Sequence, residues 1–106
     1  MYTVRRWYKT KPGQARKVAT LVYKQAAAYR DAGQRSEFRV SYNGYTLPGD
    51  QDVVCLEWTD DTLRTPTREG HDLPKEALAL GGQVRELTES QRIEFMEMLT
   101  PEKFQE

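Results

Sequence analysis

Arg6 stands in the run Arg5-Arg6-Trp7-Tyr8, a guanidinium flanked by aromatic rings in a stretch rich in strand-forming residues. Burying such a cation is costly unless a carboxylate or an anionic ligand sits beside it. Glu57, in the run Val53-Val54-Cys55-Leu56-Glu57-Trp58, is the acid expected to pair with it. A ligand carboxylate or phenolate is the alternative. Trp58 closes that run and offers a large π surface, which serves either as a core ring or as a platform for a planar ligand. Tyr8 places a second ring next to Arg6. Tyr42 and Asn43 could present a hydroxyl and an amide to a ligand, although Asn43-Gly44 reads first as a turn. Arg6, Tyr8, Tyr42 and Trp58 are therefore the candidate ligand-binding residues, and the ligand they suit is apolar or aromatic with a negative charge.

His71 is the only histidine. It lies thirteen residues after Trp58, just before the second helical stretch, and reads first as a solvated loop residue; it is the fifth ligand-binding candidate. Cys55 is the only cysteine, so no internal disulfide can form, and its place in an apolar strand marks it as a structural thiol rather than a nucleophile. No paired carboxylates, Cys/His metal cluster, phosphate-binding loop or nucleophile triad is present, so the sequence implies no metal and no cofactor, and it assigns no catalytic residue.

With 106 residues the chain has room for one domain, spanning 1–106. Sixteen basic and sixteen acidic side chains give a formal net charge of zero, which implies no polyanionic partner and permits self-association. Uninterrupted apolar runs are about four residues, far below the ~20 of a membrane span. Neither a signal sequence nor a membrane partner is expected, and the expected location is cytoplasmic.

The elements that must position these residues are read from periodicity. Tyr2 to Lys9 alternates as a first strand and is broken at Lys11-Pro12-Gly13. Ala15, Val18, Ala19, Val22, Ala26 and Tyr29 recur at helical spacing, and Gly33 can close that helix in the left-handed conformation. Glu37–Asn43 and Asp52–Trp58 alternate as a second and third strand, joined by turn residues and therefore antiparallel neighbours. Thr59, Asp60 and Asp61 are expected to cap a short helical turn through Leu63, with loop from Arg64 to Asp72.

The last third has two readings. Leu73, Ala77, Leu80, Val84 and Leu87 make a helical stripe to about Glu89, followed by a strand from Arg92 to Leu99 in which Ile93 and Phe95 alternate with polar residues. Gly81 and Gly82 oppose it, each costing ~1 kcal/mol in a helix interior. The rival ends the helix at Leu80, makes Gln83 to Leu87 a strand and starts a terminal helix at Thr88. The first reading is the favoured one.

The order βαββαβ is an α+β, ferredoxin-like arrangement, with a four-stranded antiparallel sheet and two helices on one face. The third strand is apolar on both sides, since Val54, Leu56 and Trp58 point one way and Val53 and Cys55 the other. Something must cover the second face. An RNA platform would need basic and aromatic residues in the third strand, which instead carries Asp52 and Glu57 and no base, so nucleic acid is not expected. A second copy of the sheet fits better.

Val4 to Gly13, with Arg6, Tyr8 and Lys11-Pro12-Gly13, resembles the first strand and turn of NIPSNAP-like proteins. Leu56 to Asp60 and Arg92 to Phe95 resemble the third and last strands of the wider dimeric α/β-barrel superfamily, which includes the antibiotic-biosynthesis-monooxygenase-like proteins. This resemblance implies a homodimer whose sheets pair as an α/β barrel around small-molecule cavities. It also implies three functional readings: a cofactor-independent monooxygenase or isomerase acting on an aromatic, polyketide-like substrate, a non-catalytic structural or ligand-binding dimer, and a haem-handling monooxygenase-like protein. For the last, His71 would have to ligate iron, and the first strand lacks the Asn such relatives carry there.

Overall fold

The computed structural model describes residues 1–33, 37–61 and 75–106. His71, Leu63 and the expected loop from Arg64 to Asp72 lie outside them. The described chain runs β1 (Tyr2–Thr10), α1 (Ala15–Asp31), β2 (Phe38–Asn43), β3 (Val53–Asp60), α2 (Lys75–Leu87), β4 (Thr88–Glu97) and a single 3₁₀ turn (Pro101–Lys103). The sheet order is β2-β3-β1-β4, with all neighbours antiparallel. This is the ferredoxin-like fold expected from the element order.

β1 is central, paired with β3 on one side and β4 on the other, so its alternation divides the whole sheet into two faces. Val4 and Tyr8 of β1, with Val54, Leu56 and Trp58 of β3, are buried against Val18, Val22 and Ala26 of α1. α1 carries the expected apolar stripe and ends as expected: Gly33 has φ +74° and its N–H donates to the Arg30 carbonyl at 2.9 Å. Between β2 and β3 the Asn43 side chain donates to the carbonyls of Leu47 (3.0 Å) and Asp50 (2.9 Å), the turn role that its position before Gly44 suggested.

Four boundaries differ from the sequence reading by two residues or more. Thr59 and Asp60 extend β3 instead of capping a helix, because they lie opposite Thr3 and Tyr2 and complete the pairing with β1. α2 passes through Gly81 and Gly82 and stops at Leu87, two residues earlier than expected. β4 then starts at Thr88, not Arg92, and ends at Glu97, because backbone pairing with Thr10 and Lys9 does not require apolar side chains at Thr88 and Ser90. The Leu87 carbonyl at the helix end accepts from Lys11 N–H at 2.9 Å.

The two glycines have different reasons to be there. A Cβ on Gly81 would stand 2.9 Å from Gln25 Nε2 of α1, so this glycine marks the close approach of the helices. Around Gly82 there is open space. Gly82→Ala is therefore expected to stabilise the fold by about 1 kcal/mol, while Gly81→Ala gains less because Gln25 must move. Urea midpoints of the two variants against the parent check this.

Candidate functional site

Arg6 emerges on the helix side of the sheet. Its neighbours across the strands are Leu56 and Ile93, and Val4 and Tyr8 flank it along β1 on the same face. Trp58, opposite Val4 on one side and Phe38 on the other, is diagonal to Arg6 on that face, at the ~7–8 Å spacing of such neighbours. The structure therefore brings Arg6, Tyr8 and Trp58 together. Trp58 and Tyr8 are themselves part of the core and form its wall here.

Glu57 is not the partner of Arg6. It lies opposite Arg5, one residue along, and strand alternation sends Arg5 and Glu57 to the other face. Among the described residues Arg6 has no hydrogen bond or ion pair, although it is half-buried. Tyr42 shares the helix side but stands at the β2 edge, with Val54 between it and Tyr8, some 10 Å away by strand spacing. It belongs to a separate groove between α1 and β2. His71 lies outside the described residues.

Two lining residues were not singled out from the sequence. Ile93 (42 % exposed) and Phe95 (44 % exposed) stand on this face beside Arg6 and Val4, leaving an uncovered apolar margin along β4. Their alternation marked them as one side of a strand; only the pairing with β1 puts that side next to Arg6.

The opposite face is organised differently. Arg39, Glu57, Arg5 and Glu94 form one row across all four strands, alternating in sign. Glu57 accepts from Arg5 Nε at 2.5 Å and from Arg39 Nε at 2.7 Å, and these two guanidinium groups, Arg5 foremost, hold its carboxyl below the usual range. Glu94 accepts from the Trp7 indole at 2.9 Å and from Arg92 Nη1 at 3.0 Å, which likewise lowers its pKa. The Arg92 guanidinium lies 5.3 Å from the centre of the Trp7 ring. Val53, Cys55, Trp7 and Met96 interleave with these charges, so the face is apolar only in part, rather than greasy throughout. Burial, and after it the Glu57 carboxylate, pushes the Cys55 thiol up, which suits a structural thiol. Toward one end the face hollows into a cavity of about 330 Å³ bordered by Trp7, Lys9, Val53, Ser90 and Arg92.

No protein-family model matches the chain, and no curated protein matches it in sequence. Solved structures do resemble it. An uncharacterised NIPSNAP domain protein from Burkholderia xenovorans superposes with a TM-score of 0.66 at 18% identity, over 95% of this chain and 97% of that one. The chain has the fold of that protein. A structure described as an antibiotic biosynthesis monooxygenase gives a TM-score of 0.62 at 13% identity, over 94% of this chain and 100% of the other. A protein from Bacteroides fragilis described as dimeric, of unknown function and ferredoxin-like fold, gives 0.63 at 20%, over 92% and 95%. Among the described residues no helix is long and apolar enough to cross a membrane.

The Glu57 cluster has a pH signature. Its folded pKa lies below the ordinary carboxylate value, so its contribution to stability is present above the unfolded pKa of about 4.3 and is lost as pH falls through the folded pKa. Glu57→Gln should be less stable than the parent at pH 7, and the gap should narrow as pH falls below about 4. Urea unfolding at pH 7 and pH 3 reads the difference.

Proposed function

We propose that this chain forms a homodimer that binds a small planar anion, an aromatic carboxylate or phenolate, on the helix side of each sheet. One observation carries the reading. Arg5, Arg39 and Arg92 each hold a carboxylate, whereas Arg6, half-buried among Leu56, Ile93, Tyr8 and Val4, has none among the described residues. A guanidinium in that setting favours an anion that also buries a ring. Arg6 takes the charge in this reading, and Trp58, Tyr8, Ile93 and Phe95 take the ring.

The dimer reading is supported by the other face. Trp7, Val53, Cys55 and Met96 would gain cover from a second sheet, and a row that alternates in sign can be matched by its own two-fold copy. The Bacteroides fragilis structure of the same fold is described as dimeric. The free thiol of Cys55 suits a reducing cytoplasm.

Binding is the primary role we assign. A reaction follows from it by one chemical step: a cation beside a phenol or enol stabilises its conjugate base, the electron-rich form that isomerises or reacts with dioxygen without a cofactor. The resemblance in fold to a structure described as an antibiotic biosynthesis monooxygenase favours this as the second reading.

Tryptophan fluorescence titrations with benzoate, hydroxynaphthoate and neutral naphthol test the pocket. Arg6→Gln should weaken the anions at least tenfold and leave the neutral ring nearly unchanged, since a charged hydrogen bond contributes about 1.5–3 kcal/mol. Trp58→Phe, which keeps the core filled, should weaken all three. Equal binding by parent and both variants would rule this pocket out. Oxygen uptake by the hydroxynaphthoate complex separates turnover from binding, and light scattering should give about twice the 12.3 kDa of one chain.

A further inference from the structure

The charges of this neutral chain are segregated along it. Eight lysines and arginines fall within the first thirty residues, and all sixteen acids come later, from Asp31 onward. α1 accordingly carries Arg16, Lys17, Lys24 and Arg30 against the single Asp31 at its end. Where α1 runs beside β2 there is a groove of about 320 Å³ with an apolar floor of Ala19 and Val40, exposed rings of Tyr23 and Tyr42, and Arg16 and Lys24 at its rim. No acid lines it. The Tyr23 ring is held edge-on to Phe38 with centroids 5.0 Å apart, so this wall is already ordered. β2 is also an edge strand, with one side of its backbone open to pairing.

Geometry states what such a groove would accept. Arg16 and Lys24 are eight residues apart on a helix, about 12 Å at 1.5 Å per residue. On an extended segment added beside β2, alternate side chains face the groove, and residues four apart are about 13 Å apart. The matching pattern is acid, any residue, aromatic, any residue, acid. Glu102-Lys103-Phe104-Gln105-Glu106 has that pattern. Phe104 is 56 % exposed and lies in extended backbone, and the preceding 3₁₀ turn buries no residue, so opening it breaks no core contact.

We propose that the segment Glu102–Glu106 of one copy of this chain docks in the α1–β2 groove of a second copy, as a short added strand, with Phe104 between Tyr23 and Tyr42 and the two glutamates at Arg16 and Lys24. Exchanged reciprocally, the two segments close a two-fold dimer. This deepens the homodimer reading and rests on it.

The test is a charge-reversal cycle on the full chain, read as the dimer dissociation constant by sedimentation equilibrium at low salt. Arg16→Glu with Lys24→Glu should weaken the dimer at least tenfold, as should Glu102→Lys with Glu106→Lys, and combining all four should recover most of the loss. Phe104→Ser should weaken it without recovery by any charge change. A parent that is dimeric while both reversals leave its dissociation constant unchanged overturns the docked segment and leaves the dimer standing. A parent that stays monomeric overturns both.

Discussion

The structure depends on the alternation of one strand. β1 is hydrogen-bonded on both sides, so the direction of each of its side chains is transmitted to β3 and β4 through the pairing. Odd residues Arg5 and Trp7 join the charged and aromatic network with Glu57, Arg39, Glu94 and Arg92; even residues Val4, Arg6 and Tyr8 meet the helices. A slip of one residue by β3 against β1 would part Glu57 from Arg5 and turn Leu56 and Val54 away from α1. The apolar cost of that slip holds the register, and alternation sends the adjacent Arg5 and Arg6 to opposite faces.

The two faces therefore do different work. On the open face Arg5 and Arg39 hold Glu57 across strand boundaries and Arg92 holds Glu94 along its own strand, an arrangement that orders these long side chains. On the helix side Arg6 stands beside an apolar margin of Ile93 and Phe95. A lone cation against apolar walls is the more selective of the two environments, because the desolvated guanidinium discriminates between anions and neutral molecules, while rings contribute area to both.

Flat, edged sheets also expose backbone. β4 is an edge whose side chains are largely polar at its start, where Glu89, Ser90 and Gln91 keep it hydrated, and β2 is the other edge, lined by the basic, tyrosine-walled groove. β1 and α1 together carry seven of the sixteen basic residues and one of the sixteen acids, Asp31, so the net neutrality is not uniform along the chain.

Periodicity alone was sufficient for the order of elements, the stripe of α1, the turn at Asn43 and the choice of a helix through Gly81-Gly82, because a helix and a strand bury residues at different repeats. Of the candidate residues it grouped, Arg6, Tyr8 and Trp58 share a face of the sheet, while Tyr42 stands apart at the β2 edge. What a sequence cannot carry is the parity between strands far apart in the chain. Whether Glu57 meets Arg5 or Arg6 is decided by a single residue of register across fifty intervening positions, and Tyr42 reads as a neighbour of Tyr8 until the sheet order places β3 between them. Likewise the exposure of Ile93 and Phe95 depends on how far the helices extend over β4. Local sequence sets which residues are apolar and at what spacing; only the packed sheet decides which of them are covered.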